Sequence, residues 1–498
     1  MTRRSRRPAL VLTVVAIAAA GGAATVVRRR ADRSGGRHAV GRRTRAARTA
    51  TVAVAGGRAG ADLAWHRARR TFATAERREA LDRAYELRTA EQVAATLGNL
   101  KGALMKLGQM ASYLDQGLPE PVREALAQLQ ADAPPMSVEL VDATVAAELG
   151  APPAEVFAEW DPTPIAAASI GQVHRAITRD GRAVAVKVQY PGVDEAIRND
   201  LGNADAIFGA LAWMFPGLDP EPVVAELRER LVEELDYRIE ADHQRGFAAH
   251  YRGHPTIHVP DVVDELSTAR VLTTELAEGV RFDELLGWSQ AERDLAAETI
   301  YRFAFGSLYR LGVFNGDPHP GNYLFRPGGQ VTFLDFGLVK RFSADELAGF
   351  ARMITAMVLH HDPTEFRQVV EELGLLRSGA PLTDAQVADY FSHFYEFVRV
   401  DGPYTIDDAY ASATVRQMFD ADGPHAPVMR NANVPSSFVV IQRINLGLYA
   451  IFGRLHATAN WRRMAEELWP FVDGPPSTPM GERIAAWEHE RGDRTPAA

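Results

Sequence analysis

The sequence contains no cysteine among its 498 residues. Disulfide-stapled folds, thiolate zinc sites and cysteine nucleophiles are therefore excluded. Hydrophobic residues make up 46% of the chain and charged residues 24%, which is typical of a globular protein. The length leaves room for one large two-lobed domain or for several smaller domains.

Lysine is nearly absent, because four of the 55 basic side chains are Lys and the rest are Arg. The four are Lys101, Lys106, Lys187 and Lys340. Since the guanidinium of Arg cannot replace a compact ammonium at a tight site, the positions that retain Lys are informative. Lys187 lies in the alternating segment 183–189, which predicts a β-strand.

The net charge is unevenly distributed along the chain. The first 50 residues contain 13 Arg and one Asp, a net charge of +12. The whole chain carries −9, so residues 51–498 carry −21. A basic arm on an acidic body predicts an anionic surface as the partner of the arm. The acidic body argues against nucleic-acid binding by the folded part.

Residues 8–27 carry no charge and are about long enough to span a bilayer. Three interpretations remain open: a membrane-spanning anchor, a cleaved signal peptide, and a surface-lying or misassigned start segment. Arg28, Arg29 and Arg30 follow the segment directly. This flank favours an anchored protein at a bacterial cell membrane with a cytoplasmic body.

Two short motifs carry the strongest functional signal. Residues 315–322 place Asp317 and Asn322 five apart, and Asp335 opens an Asp-Phe-Gly string thirteen residues later. The intervening segment 330–334 predicts a short strand. This spacing matches the H-R-D-x-x-x-x-N and D-F-G template of protein-kinase-like phosphoryl transfer. A Gly/Pro-rich turn beside an unrelated Asp is the simpler alternative, and the joint spacing disfavours it.

Phosphoryl transfer explains why these residue types recur at this spacing. Asp317 would position or deprotonate the attacking hydroxyl or water, while Asn322 and Asp335 would hold Mg²⁺ against the phosphates of ATP or ADP. Lys187, in a strand like V-A-I-K, would contact the α/β-phosphates.

Three other segments complete a predicted nucleotide site. Alanines occupy the glycine positions of the expected phosphate loop, which predicts a stiffer loop; its residues are Ala166, Ala167, Ala168 and Ser169. An acidic helix is predicted over 221–250, and Glu240 is the preferred partner of Lys187, with Glu234 as the other candidate. A hinge over 273–279 would present the backbone of Glu275 and Ala277 to adenine.

With these motifs in order, the sequence resembles the UbiB/AarF family of atypical protein-kinase-like proteins over roughly residues 85–460. Matches beyond the catalytic motifs are the K-x-G-Q residues Lys106, Gly108 and Gln109 and the E-x-D residues Glu234 and Asp236. The resemblance implies an α+β, bilobal protein-kinase-like fold with an N-terminal helical K-x-G-Q extension and a mostly helical C-lobe. Lys106 and Gln109 would reach into the site near Glu234 and Asp236.

The resemblance also implies a division of the chain and an activity. The predicted segments are a basic N-terminus at 1–30, a basic linker at 31–70, the K-x-G-Q extension at 71–135, an N-lobe at 136–279, a C-lobe at 280–475 and a polar tail at 476–498. The implied activity is ATP hydrolysis or phosphorylation of a lipid or quinone-like small molecule, with an adenine nucleotide and Mg²⁺ as cofactors.

Features of regulated protein kinases are missing. Asn315 and Gly316 replace the H-R that precedes the catalytic Asp, and no A-P-E follows Asp335. Both absences weigh against a regulated protein-substrate kinase. Two alternatives stay open: a soluble phosphotransferase of the aminoglycoside or choline kinase type, and a nucleotide-binding pseudokinase that senses lipid or partner proteins.

Overall fold

A computed structural model describes five stretches of the chain, namely residues 137–168, 170–193, 233–419, 423–432 and 436–492. All of them belong to one compact unit, residues 93–498. A small lobe built on an antiparallel sheet comes first, and a larger, mostly helical lobe follows. This is the α+β arrangement that the sequence predicts.

The small lobe contains a four-stranded sheet in the order β1-β2-β3-β5, with every neighbouring pair antiparallel. Its elements are α1 (Val138–Leu149), α2 (Pro153–Val156), β1 (Glu159–Ala168), β2 (Gly171–Ile177), β3 (Ala183–Gln189), α3 (Tyr237–His250), β4 (Ile257–His258) and β5 (Val271–Glu275). Of these, β4 pairs with a strand of the larger lobe.

Strict alternation in β3 decides which side chains face the core. Val184, Val186 and Val188 are at most 1% exposed and pack against α1 residues such as Val145. Because successive side chains of a strand point to opposite faces, Lys187 must project from the other face of the sheet. The predicted strand is confirmed, and its register aims the lysine away from the apolar core.

The prediction of one continuous helix over 221–250 is wrong within the described residues. Residues 234–236 interrupt it, and α3 begins at Tyr237. The cause is local: Asp236 accepts a hydrogen bond from the backbone N–H of Arg238 at 3.1 Å, so it caps a new helix. Residues 221–232 lie outside the described part of the chain.

The larger lobe packs its helices around α5, whose middle turns are almost entirely buried. Its elements are α4 (Phe282–Leu285), α5 (Gln290–Leu311), β6 (Val313–Asn315), β7 (Tyr323–Arg326), β8 (Gln330–Phe333), β9 (Val339–Arg341), α6 (Ala344–Ile354), a π-helix (Thr355–His360), α7 (Pro363–Glu372), α8 (Asp384–Ser392), α9 (Glu396–Arg399), β10 (Tyr404–Ile406), α10 (Asp408–Phe419), α11 (Ala426–Met429), α12 (Ser436–Leu455), β11 (Ala457–Ala459), α13 (Trp461–Leu468) and α14 (Pro479–Arg491).

Short strands bring the two catalytic motifs together. The β7–β8 hairpin separates the loop at 316–322 from the Asp-Phe-Gly string, and it pairs with β4 of the small lobe. On the other side, β6 pairs with β9, so the residues before the first motif lie against those after the second. The strand predicted at 330–334 is thus observed as β8.

The predicted polar tail at 476–498 needs correction over its described part, because residues 479–491 form α14. Met480, Ile484 and Trp487 recur at helical spacing, and the first two are buried. Arg302 on α5 contacts the start of this helix, because its Nη2 donates to Oγ1 of the N-cap residue Thr478 at 3.1 Å. The same guanidinium pairs with Glu298 and Glu467 at 2.8 and 2.7 Å. The sequence carried this stripe, but three apolar residues among charged ones gave a weak signal.

Candidate active site

Lys187 meets a carboxylate of α3. Its Nζ lies 2.8 Å from both carboxylate oxygens of Glu240 and 3.9 Å from Oδ2 of Asp335. The same ammonium lies 5.0 Å from the ring centroid of Tyr237. Of the two candidate partners from the sequence, the structure therefore pairs Lys187 with Glu240. Since 53 residues separate the two, only the packing of α3 on the sheet could decide this.

The charges of this pair are set by opposing effects. Burial lowers the pKa of Lys187, but the Glu240 and Asp335 carboxylates outweigh burial, and the pKa ends well above its ordinary value. Burial raises the pKa of Glu240, and the ammonium opposes that shift. Lys187 therefore stays protonated at neutral pH and can offer a positive charge to a phosphate group.

The predicted acidic residues before α3 have different surroundings. Asp236 pairs with the guanidinium of Arg238, with 2.6 Å between Oδ2 and Nη2. Its pKa is lowered, mainly by the hydrogen bond from Arg238. Glu234 lies in the turn that precedes this cap. A nucleotide contact from either residue stays a prediction.

Asp317 and Asn322 lie on the tight loop between β6 and β7. Nδ2 of Asn322 donates to the backbone carbonyl of Asp317 at 3.1 Å and to its Oδ2 at 3.3 Å. Because the amide NH₂ faces Asp317, Oδ1 of Asn322 is the atom left to serve as a metal ligand. A Cβ at Gly321 would lie 2.9 Å from Nδ1 of His319, so a larger residue there would displace the imidazole that caps this loop.

The Asp-Phe-Gly string is held by packing and by hydrogen bonds. Phe336 is fully buried, and its ring centroid lies 4.9 Å from that of Phe247 on α3. Oδ1 of Asp335 accepts a hydrogen bond from the N–H of Gly337 at 2.9 Å. Nδ1 of His243 lies 3.1 Å from the carbonyl of Phe336, and since a carbonyl only accepts, Nδ1 carries the proton.

His243 was not singled out by sequence reasoning. It follows Glu240 by three residues, so both side chains lie on the same face of α3. That spacing was the available signal, once Glu240 was named as the partner of Lys187. The helix thus supports the site at two points, through Lys187 and through Phe336.

Asn315 joins the two catalytic motifs. Its Oδ1 accepts a hydrogen bond from the N–H of Asp317 at 3.1 Å, and its Nδ2 donates to the carbonyl of Asp335 at 2.8 Å. Next to it, the N–H of Gly316 donates to the carbonyl of Leu338 at 2.6 Å. The motifs that the sequence predicts to surround one point are therefore adjacent in the structure.

The alanine run lies in a strand, which corrects the predicted loop. Ala166, Ala167 and Ala168 are the last residues of β1 and pair with β2. Ser169 lies outside the described residues. Packing of this hairpin against β3 requires Gly171, because a Cβ there would lie 2.3 Å from the carbonyl oxygen of Val188.

The residues after the alanine run have structural roles. Nε2 of Gln172 and Nε2 of His174 are 2.8 Å apart, and Nδ1 of His174 lies 2.9 Å from the carbonyl of Asp161. Both side chains are at most 1% exposed. Burial lowers the pKa of His174, so it is neutral at physiological pH. Both side chains are thus buried in the small lobe and hydrogen-bonded at the hairpin.

The predicted hinge follows β5. Glu275 is the last residue of that strand, and its N–H donates to the carbonyl of Asp261 at 2.9 Å. Its Oε2 lies 3.3 Å from Nε2 of His258. The N–H of Leu276 donates to the carbonyl of Ala183 at 3.1 Å, and Ala277 is the next residue. Contact of Glu275 and Ala277 with adenine stays a prediction.

The oxygen ligands present fit a magnesium ion held together with a nucleotide. Among the described residues, no cluster of three or more His, Cys, Asp or Glu side chains could hold a metal. Asp335 and Asn322 supply one carboxylate and one amide oxygen. Mg²⁺ commonly takes one or two protein oxygens and completes its shell with phosphates and water.

Several predicted features lie outside the described residues. They are Lys106, Gln109, the K-x-G-Q extension at 71–135 and the uncharged segment 8–27. Within residues 137–492, leaving out the undescribed gaps, no helix has both the length and the apolar character needed to cross a bilayer.

The chain is similar to known proteins in sequence and in fold. Residues 128–370 match the ABC1 atypical kinase-like domain. A solved structure titled as the Rv3197–erythromycin complex from Mycobacterium tuberculosis has a TM-score of 0.57 and 33% sequence identity. The likeness covers 78% of this chain and 98% of that one. The bilobal kinase-like fold predicted from the sequence is therefore confirmed.

Curated relatives carry kinase names. The rat protein named atypical kinase COQ8B, mitochondrial, is 34% identical over 54% of this chain, and the match spans 51% of its own length. Atypical kinase COQ8 of Saccharomyces cerevisiae is 27% identical over 76% of each chain. The chain thus spans about half the length of the rat relative. With the domain match, the shared fold and the motif order together, the chain belongs to the ABC1, or UbiB/AarF, family of atypical kinase-like proteins.

Proposed function

We propose that this chain is a membrane-associated, Mg²⁺-dependent ATPase or an atypical kinase that phosphorylates a small-molecule or lipid substrate in quinone or other isoprenoid-lipid metabolism. One observation carries the proposal: Lys187, paired with Glu240, lies 3.9 Å from Asp335, which Asn315 ties to Asp317. This arrangement supports a site in which the cation of Lys187 and the carboxylates of Asp335 and Asp317 act on one phosphoryl group.

Each side chain has a role that its surroundings support. Asp317, mostly buried beside the amide of Asn322, would orient or deprotonate the attacking hydroxyl or water. Asp335 and Asn322 would hold Mg²⁺, which neutralises charge on the phosphates when bound. Lys187 would contact the α/β-phosphates, and Glu240 would keep its ammonium in place.

The names of relatives support the kinase class. The names of the rat, nematode and yeast proteins describe mitochondrial atypical kinases of the COQ8 type. Family membership and the basic arm of the sequence support the proposal of a lipid or quinone-like partner. Lys106 and Gln109 would reach the site from the K-x-G-Q extension, and the membrane would present the substrate to it.

Thermal unfolding of the full chain with and without Mg²⁺ and ADP or ATP tests the proposal. Saturating nucleotide at about 100 times its dissociation constant should stabilise the protein by about 2.7 kcal/mol. We expect a Mg²⁺-dependent rise in Tm for wild type, and its loss in Asp335→Asn. Asp345→Asn, which removes an exposed carboxylate from α6, is the matched control and should keep the rise.

Turnover separates an enzyme from a pseudokinase. If wild type shows the Mg²⁺-dependent rise but no ATP hydrolysis on any lipid or quinone analogue, the nucleotide-sensing alternative replaces the enzyme. No rise with either nucleotide would refute the nucleotide site itself. Undiminished hydrolysis in Asp335→Asn would refute the metal role of that residue.

A further ligand belongs in the same assay. The solved relative that resembles this chain is titled as a complex with erythromycin. Erythromycin with and without Mg²⁺-ADP therefore tests for binding of a bulky, largely apolar ring compound. Additive stabilisation by the two ligands would show separate sites, and competition would show a shared one.

A further inference from the structure

We propose that Asn315 is a positioning residue that sets the Mg²⁺ affinity of the site by fixing the peptide of Asp335 relative to that of Asp317. This inference rests on the proposed function. Asn315 stands where the kinase template has the H of H-R-D, and the sequence suggests only that a regulatory feature is missing there. The structure shows instead what the amide does.

The orientation of the amide is determined by its two partners. The backbone N–H of Asp317 can only donate, so it requires Oδ1 of Asn315, at 3.1 Å. The carbonyl of Asp335 can only accept, so it requires the NH₂ group, at 2.8 Å. The side-chain amide of Asn, whose oxygen accepts and whose nitrogen donates, meets both needs at once.

Two backbone hydrogen bonds join the segments of the two catalytic motifs on either side of Asp335. The N–H of Gly316 reaches the carbonyl of Leu338 at 2.6 Å, and the N–H of Leu334 reaches the carbonyl of Asn322 at 3.0 Å. These bonds flank Asp335 on either side, but neither binds its own carbonyl. The bond from Asn315 supplies that missing tie to the residue that would hold the metal.

Through Asp317, Asn315 is also connected to Asn322, the second proposed metal ligand. Asp317, held at its N–H by Asn315, receives Nδ2 of Asn322 on its carbonyl and on its carboxylate. The position of Asn322 Oδ1 thus depends on Asp317, and that of Asp335 depends on Asn315. Loss of Asn315 would leave one N–H and one carbonyl without this partner and would uncouple the two metal ligands.

Two variants separate the two hydrogen bonds. Asn315→Ala removes both, whereas the isosteric Asn315→Asp keeps an acceptor for Asp317 but has no proton for the carbonyl of Asp335 at neutral pH. The aspartate also adds a negative charge, which by itself would attract a cation. Weaker Mg²⁺ binding in Asn315→Asp would therefore be due to altered geometry of the metal ligands, because the added charge alone would strengthen Mg²⁺ binding.

The measurement is calorimetric titration of Mg²⁺ into the full chain saturated with ADP, with ATP turnover measured alongside. We expect both variants to bind Mg²⁺ about tenfold or more weakly, because the carbonyl of Asp335 loses its hydrogen-bond donor and the two metal ligands are no longer held in register. The affinity for ADP without Mg²⁺ should change by less than about twofold. At saturating Mg²⁺, a large part of the wild-type kcat should return.

A matched control removes an amide elsewhere. Nδ2 of Asn431 donates to the carbonyl of Pro427 at 2.9 Å, in the larger lobe. Asn431→Ala should lower Tm without changing Mg²⁺ affinity. If both Asn315 variants bind Mg²⁺ as wild type does, the inference is wrong and the proposed function stands.

The remaining outcomes are also distinct. If Mg²⁺ does not affect ADP binding in wild type, the proposed function fails and the inference fails with it. If Asn315→Ala does not fold, Asn315→Asp, which keeps the volume of the side chain, decides the matter. Equal losses in Mg²⁺-bound and Mg²⁺-free ADP affinity would indicate a structural role alone and overturn the inference.

Discussion

At the scale of single residues, the paired charges at Lys187 are the most consequential feature. Glu240 is 4% exposed, so removal of either partner would leave a charge in a region of little water. The surface pair of Arg182 and Glu265 has similar distances, 2.6 Å, but both side chains are about half exposed. Burial, rather than distance, should therefore decide what each pair contributes to stability.

We expect Glu240→Gln to lower the free energy of unfolding by about 3 kcal/mol, because Lys187 loses its nearest carboxylate while it stays buried. The double variant Lys187→Met with Glu240→Gln should lose less, since no buried cation remains. Urea unfolding of the full chain measures both. Glu265→Ala, at the exposed pair, should cost no more than about 1 kcal/mol. A single variant as stable as wild type would show that the pair has no structural role.

At the scale of elements, α3 connects the two lobes. Phe247 packs against Phe336 and Phe303, and the hydroxyl of Tyr251 lies 2.8 Å from Oγ of Ser307 on α5. Just past the helix, Nδ1 of His254 accepts hydrogen bonds from the N–H groups of residues 256 and 257. An acceptor nitrogen cannot also carry a proton, so this turn requires a neutral imidazole.

Acid should destabilise the protein through His254. Burial, with a smaller effect of Arg310, lowers its pKa to about 3. The unfolded chain binds a proton near pH 6.5 and the folded chain does not, so stability from this residue is lost as pH falls from 6.5 toward 3. We expect a loss of about 1.4 kcal/mol per pH unit in that window. Urea unfolding at pH 7 and 5 measures it.

The matched variant is His254→Asn, which keeps an acceptor but does not titrate. Its stability should fall less than that of wild type between pH 7 and 5, by roughly the amount that one proton accounts for. Identical pH dependence in the two proteins would mean that His254 is protonated in the folded state, contrary to its hydrogen bonds.

At the scale of the whole molecule, charge is divided between an arm of +12 over residues 1–50 and a body of −21. Attraction of the arm to an anionic membrane is screened by salt, because the Debye length falls from about 10 Å at 0.1 M to about 3 Å at 1 M. Insertion of the uncharged segment 8–27 would not be screened. Salt dependence therefore separates the two modes of attachment.

Co-sedimentation of the full chain with vesicles tests this. We expect binding to vesicles that contain anionic lipid at low salt, and weaker binding to neutral vesicles. Retention at about 1 M salt would favour insertion of residues 8–27, and release would favour the arm alone. No binding to either vesicle type would refute membrane association by these segments.

Much of the site could be predicted from the sequence because its motifs are local. Asp317 and Asn322 share one loop, Asp335 follows a single hairpin, and Lys187 lies in a strand whose alternation gives its face. In each case a short stretch of backbone sets the geometry, so spacing in the sequence is close to spacing in the molecule. Family resemblance then supplied the order of the lobes.

The structure differs from the predicted elements at three places, for a local reason at Asp236 and because of distant residues at the other two. The cap at Asp236 divides a helix whose acidic pattern runs on without a break, and the alanines expected in a loop extend β1 because β2 pairs with them. The helix α14 replaces most of the predicted tail because its apolar side chains are buried by tertiary packing, with Sδ of Met480 3.3 Å from Oγ1 of Thr299 on α5.

The sequence by itself determined the family, the kinase-like order of strands and helices, and the polar residues of the catalytic loop, because these depend on local periodicity and on motif spacing. Only the tertiary structure decided that Glu240, rather than Glu234, binds Lys187 and that Asn315 joins Asp317 to Asp335. Such contacts depend on how α3 packs on the sheet and on the pairing of β6 with β9, and no spacing along the chain encodes that packing.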